Sequence, residues 1–203
     1  MFGKINLAYL ALQVRDLARW RKFAADMLGL PVPDTNSDGA LALRLDDRAH
    51  RLILREGGTD DIDALGWEVA DPMDFDAILE RAQKAGANPE IGDPALCQAR
   101  RVERLVHFTG PDGVRNELVM GLGQASTAFS STLMPGGFLT GAMGLGHVVL
   151  SSPDRQLAAS FYRNVLGMRL SLELQFSIGP IEIGGVFLHC NPRNHSLALF
   201  EMP

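Results

Sequence analysis

The sequence predicts an α+β chain assembled from repeated βαβββ units, and three observations predict it. Residues 7–30 and 145–168 align without a gap, so that Leu7, Asp16, Phe23, Leu28 and Gly29 recur as Leu145, Asp154, Phe161, Leu166 and Gly167. Each copy reads as an alternating apolar strand, an aspartate able to cap a helix, and apolar residues at helical spacing ended by glycine. A related strand-helix-strand order begins again between them, at residues 63–71. A repeat at this scale fixes architecture before any single motif is weighed.

In the first unit, residues 7–14 alternate as a strand, and Asp16 opens a helix with Leu17, Trp20, Phe23, Ala24, Met27 and Leu28 on one face. Gly29 ends it, and two strands are expected near residues 40–47 and 50–57. The second unit has its helix over Asp74–Ala85, stopped by Gly86, then strands near 100–110 and 116–121 around the turn Gly110-Pro111-Asp112-Gly113. Residues 123–143, rich in Gly, Ser and Thr, form a linker without the composition for a core of its own. In the third unit, a strand through His147 precedes a helix from Pro153-Asp154 to Leu166, and strands follow near 171–177, 184–190 and 195–202. The expected organisation is an N-terminal structural domain over 1–122, the linker 123–143, and the first half of a second domain over 144–203.

At 203 residues, 46% hydrophobic and 21% charged, the chain has the composition of a water-soluble globular protein. A net charge of −5 without a basic stripe argues against nucleic acid as a partner. No apolar run is long enough to span a bilayer, and the two cysteines make no disulfide framework. The expected location is the cytoplasm.

The informative difference between the copies is Tyr9 in the first against His147 in the second. A scaffold that gains an imidazole in one copy suggests one structural and one chemical half. On pattern alone, His147 reads either as a half-buried strand histidine or as a ligand. Val149 and Ser151 share its face by strand alternation.

The segments FLTGAMGLGHVVL (138–150), FYRNVLGMRL (161–170) and FLHCNPRNHSLALFEMP (187–203), together with residues 7–30 and the GPDGVRNELVMG turn, resemble the vicinal oxygen chelate superfamily. Within it they resemble the type I extradiol ring-cleavage dioxygenases of the 2,3-dihydroxybiphenyl 1,2-dioxygenase group. The resemblance implies cleavage of a catechol with O2 at non-haem Fe(II), with Mn(II) as the alternative metal, in a homo-oligomer. It makes His147 a metal ligand and His189 the catalytic histidine that steadies bound oxygen or moves the catechol proton. Val149 and Phe187 become substrate-binding residues. His195, in the polar turn of Asn191 and Arg193, is read as structural, as are His50 and His107.

The family has four units and three are legible here, so a second histidine and a glutamate ligand lack counterparts. The chain by itself is expected to be an incomplete, inactive part of such an enzyme. In the first half the aligned positions are Tyr9, Trp67 and Glu117, which predicts a filled cup with Glu117 as a relic. A different reading is a non-catalytic module that binds an aromatic ligand or a partner. A glyoxalase or thiol-transfer resistance protein would need only two units, and the LHCNPR segment argues against it.

Overall fold

The computed structural model describes residues 5–36 and 38–201. The first unit comprises β1 (Ile5–Val14), α1 (Leu17–Asp26), β2 (Leu41–Leu43) and β3 (Leu52–Glu56). The second comprises β4 (Asp61–Val69), α2 (Pro72–Lys84), β5 (Glu90–Ile91), α3 (Pro94–Ala99), β6 (Arg104–Thr109) and β7 (Arg115–Met120). The third is β8 (Val148–Ser151), α4 (Arg155–Leu166), β9 (Arg169–Ile178), β10 (Ile181–His189) and β11 (Leu197–Glu201). The first unit therefore has two strands after its helix where the full repeat has three.

Aspartates start the four α-helices among the described residues. Asp16, Asp71, Asp93 and Asp154 accept from the backbone N–H of Arg19, Met73, Leu96 and Leu157 at 2.7–2.9 Å. Each satisfies a donor that the first turn would leave unpaired. α3 is an element the sequence reading lacks, although Asp93 followed by Pro94 is the cap signal for it. α1 ends three residues before Gly29, whose φ of 63° serves the turn beyond the helix. Gly167 does end α4, in the left-handed conformation expected of it.

Units one and two share a seven-stranded sheet in the order β2-β3-β1-β4-β7-β6-β5. Its seam is β1 against β4, antiparallel, with Tyr9 opposite Gly66 and Leu10 opposite Leu65. A Cβ on Gly66 would stand 2.5 Å from Tyr9 Cζ, so only glycine lets the phenol lie across the partner strand. Unit three forms a separate four-stranded sheet, β8-β11-β10-β9, with β8 parallel to β11.

The two sheets are joined by one continuous core. It runs from Leu7, Trp67 and Phe75 in the first half to Val148, Tyr162 and Leu199 in unit three. Polar groups tie the same boundary. Arg81 Nε donates to the Val165 carbonyl at 2.8 Å. Tyr162 Oη donates to Asp112 Oδ2 at 2.9 Å and lies 3.4 Å from Asn116 Nδ2. The 123–143 segment makes no core of its own but adds to that of unit one. Phe129 and Phe138 meet edge to face at 5.9 Å and pack with Leu28 and Leu41, and Ala125 N donates to the Asp47 carbonyl.

Because Tyr162 is fully buried, Tyr162→Phe would leave Asp112 without that donor while changing little volume. The expected cost is about 1–2 kcal/mol. Urea denaturation measures it; an unchanged midpoint would rule out the phenol as a tie between the two halves.

Candidate functional site

The site is built on the open face of the second sheet and on two turns pinned to one another. His147 precedes β8 and is exposed. Gly144, at φ 71°, lets the chain pass close to β1: a Cβ there would lie 2.3 Å from the Leu7 carbonyl oxygen. Leu145 N donates to that same carbonyl at 2.7 Å. Asn191, in the turn after β10, donates through Nδ2 to Asn6 Oδ1 at 2.9 Å and to the Met143 carbonyl at 3.0 Å. Its Oδ1 accepts from Arg193 N at 3.0 Å, closing an Asx turn. Arg193 reaches back to the carbonyls of Leu139 and Gly144.

That turn returns the chain so that His195 lies against His147, with ring centroids 4.4 Å apart. Phe187 lies 5.1 Å beyond His195, and Phe200 5.6 Å beyond Phe187. Burial, and then the neighbouring His147, hold the His195 imidazole below its usual pKa. Its Nδ1 is 3.1 Å from Asn194 Oδ1, an atom that only accepts. That partner assigns the proton to Nδ1 and leaves the lone pair on Nε2.

Of the residues singled out in the sequence, His147, Val149 and Phe187 share this face. Val149 is opposite Ala198, Ala198 opposite Phe187, and Phe187 opposite Leu172 across three neighbouring strand pairs. His189 Nδ1 is 2.6 Å from Ser171 Oγ, which also donates to the Asn194 carbonyl beside His195. The ring beside His147 is that of His195, the histidine the sequence reading took as structural. The missed signal was spatial, since residues 147 and 195 meet only through the Asn191 and Arg193 turns. Cys190 is buried in the core, and burial pushes its thiol up, away from the thiolate a metal would need.

The first half shows the same architecture with its inner face filled. Its inner face holds Tyr9, Ala11, Ala64 and Val119, plugged by Leu96 and Cys97 of α3. Trp67 does not share this face. Alternation along β4 turns it away from Gly66, which stands opposite Tyr9, into the core beside α2, where its Nε1 donates to Asn116 Oδ1 at 2.8 Å. Glu117 is fully buried and receives Arg100 at 2.8 and 3.1 Å, Arg115 at 3.1 Å and the Tyr9 hydroxyl at 2.7 Å. Burial raises its pKa, but the hydrogen bonds and charge of Arg100 more than reverse this, and Glu117 is held ionised. A guanidinium, not a metal, neutralises this carboxylate.

Among the described residues, no group of three or more His, Cys, Asp or Glu side chains could hold a metal ion. His147 and His195 supply two imidazoles and no carboxylate, so this chain's own donors do not fit a complete two-histidine, one-carboxylate iron site. No helix among the described residues is long and apolar enough to cross a membrane.

Comparison with known proteins gives the same family from several directions. Residues 7–57 match the model of the dihydroxybiphenyl dioxygenase BphC D1 domain, and residues 144–203 match the glyoxalase/bleomycin resistance protein/dioxygenase superfamily. The chain is 38% identical to biphenyl-2,3-diol 1,2-dioxygenase of Paraburkholderia xenovorans, covering 98% of this chain and 67% of that one. It is 35% identical to an iron-dependent extradiol dioxygenase of Rhodococcus jostii, over 98% of this chain and 68% of that one. A solved catechol 2,3-dioxygenase superposes with a TM-score of 0.89 at 36% identity, over 98% and 70% of the two chains. The chain thus spans about two thirds of the length of the curated relatives it matches.

The buried first cup also sets an acid limit on stability. His50 is 1% exposed, its Nε2 has no hydrogen-bond partner, and its ring meets Tyr9 edge to face at 5.2 Å. Burial, with Arg100, Arg101 and Arg51 nearby, lowers its pKa to about 3. The unfolded chain takes up this proton near pH 6.5 and the fold only near 3. Stability is therefore full above about 6.5 and falls with pH by up to about 1.4 kcal/mol per unit. The difference between wild type and His50→Leu is expected to shrink by about 1.5 kcal/mol from pH 6.5 to pH 5. Urea denaturation at both values is the check, and parallel pH dependence in the two proteins would contradict it.

Proposed function

The chain belongs to the extradiol ring-cleavage dioxygenases of the biphenyl-2,3-diol 1,2-dioxygenase group, and from that premise we propose that it serves the O2-dependent extradiol cleavage of a catechol-type diol. The observation that carries the reading is the pairing of His147 with His195 on an apolar, open sheet face. Iron is the metal in the name of the Rhodococcus relative, and we take it as the metal here. His147 is the donor this chain offers it. Since the donors present do not complete a centre, the chemistry assigned to this chain is what its own side chains do.

The aryl part of the diol rests on Val149, Phe187 and Phe200, whose rings and methyls exclude water from the polar end. His195 Nε2 carries a lone pair beside His147. Its lowered pKa keeps it neutral near pH 7, ready to accept a proton from a catechol hydroxyl. This gives His195 the proton-handling role that the sequence resemblance placed on His189. Asn194 Oδ1 holds the ring in the required tautomer, and Asn191 with Arg193 fixes its distance from His147.

The test is oxygen uptake with 2,3-dihydroxybiphenyl after anaerobic Fe(II) loading, followed by the visible absorbance of ring-opened product. It uses this chain alone and fused at Pro203 to the last third of the Paraburkholderia relative. Turnover is expected in the fusion and not in the chain alone. It should be abolished by His147→Ala and lowered on the order of 10²–10⁴-fold in kcat by His195→Phe. His189→Phe is expected to leave turnover within a few-fold of wild type. A well-folded, iron-loaded fusion without turnover would sink the reading in favour of a module that only binds aromatics.

A further inference from the structure

β9 and β10 pair antiparallel with one irregularity. Phe187 stands opposite Leu172 and Leu188 opposite Leu170, so Ser171 has no partner residue across the ladder. It is the extra residue of a β-bulge. Such a bulge breaks the alternation of a strand and re-aims a side chain. The matching strand of unit two, β5, is two residues long and pairs with β6 without a shift. The bulge therefore belongs to the half of the chain that carries the histidine pair.

The re-aimed side chain bridges two parts of the site. Ser171 Oγ lies 2.6 Å from His189 Nδ1 and donates to the backbone carbonyl of Asn194. A serine hydroxyl has one proton, and a carbonyl oxygen only accepts. With that proton directed at the carbonyl, His189 donates from Nδ1 and Ser171 Oγ accepts. Each bond polarises the hydroxyl in the sense that strengthens the other. His189 thus holds Ser171, and Ser171 holds Asn194.

The Asn194 carbonyl belongs to the peptide that leads directly into His195, and Asn194 Oδ1 sits 3.1 Å from His195 Nδ1. Because a peptide unit is planar, a bond to this carbonyl fixes the direction in which the chain enters His195. The turn is fastened on its other side, where Asn191 bonds Asn6 and Met143, and Arg193 bonds Leu139 and Gly144. Those ties set where the turn stands. Without the bond from Ser171, rotation of the 194–195 peptide would carry the His195 ring and its Asn194 partner away from His147.

We propose that Ser171, aimed by the bulge, is a positioning residue for His195: its hydroxyl holds the Asn194–His195 peptide so that His195 keeps its proton on Nδ1 and its Nε2 lone pair beside His147. The proposal rests on the reading of His195 as the proton-handling group. Ser171 acts through Asn194 and takes no part in the chemistry itself.

The first test is the proton–nitrogen correlation spectrum of the histidine rings, recorded on this chain at a pH where imidazoles are neutral. The chain has five histidines, and His195→Phe identifies the signals of His195. His195 is expected as the Nδ1–H tautomer in wild type, as a mixture of tautomers in Ser171→Ala, and again as Nδ1–H in Ser171→Thr, which keeps a hydroxyl. A mixture already present in wild type overturns the inference, as does an unchanged tautomer in Ser171→Ala. The second test is turnover of 2,3-dihydroxybiphenyl by the fusion with the last third of the Paraburkholderia relative. Ser171→Ala should lower kcat about tenfold and leave KM within about twofold, the signature of a misplaced proton acceptor and not of weaker binding. Ser171→Thr should restore kcat. In a His195→Phe background, Ser171→Ala should add no further loss, and an equal loss on both backgrounds would make Ser171 merely structural. A fusion that stays inactive sinks the function proposed for the chain, and the tautomer then decides this inference by itself.

Discussion

Strand edges need partners, and that constraint organises this chain. β1 and β4 meet that need for each other, and the seven-stranded sheet spreads outward from their seam. The seam works because Gly66 has no side chain where the Tyr9 ring must cross. Once β1 and β4 are joined, β3 and β7 pair with their outer edges in parallel, and the inner face of the sheet becomes a cup. The third unit repeats the parallel half of this arrangement in β8 and β11, and among the described residues no strand pairs with the other edge of β8.

The two inner faces answer the cost of buried polarity in opposite ways. In the first half Glu117 is neutralised by Arg100 and Arg115, and Tyr9 completes its hydrogen bonds. Removing one partner would strand a buried charge, a loss on the order of 3–5 kcal/mol, so the cluster is locked as a unit. Leu96 and Cys97 of α3 fill the remaining space. In the third unit the described helix, α4, packs against the buried face with Val148 and Leu150 instead. His147 is left exposed beside a partly buried His195. The same scaffold thus holds a satisfied ion cluster in one copy and a pair of adjacent imidazoles in the other.

Much of the fold was legible in the sequence because it is written in local terms. The aspartate caps, the glycine after α4 and strand alternation each depend on residues a few places apart, and the ungapped repeat fixed the order of units. What failed was less local. Trp67 aligns with His147 in the string Leu-Gly-Trp, yet it is Gly66 that stands opposite Tyr9, so alternation along β4 puts Trp67 in the core. A one-residue difference in register reverses the face of a side chain and leaves no mark on composition. The packing of the linker on unit one was not legible, because Phe129 and Phe138 are too far apart to read as a motif.

The site was half legible for the same reason. His147 stood out as the position where two copies differ, but the identity of its neighbour is decided by the turn from Asn191 to Arg193. Asn191 spans three parts of the chain at once: Asn6 before the seam, Met143 before His147, and Arg193 in its own turn. Each bond is ordinary, worth about 1 kcal/mol at most beyond what water would offer. Together they remove the freedom of two loops that would otherwise sample many arrangements, and this is how short polar turns on a rigid sheet acquire chemical precision. An asparagine and an arginine in this turn thus help to place His195, rather than His189, beside His147.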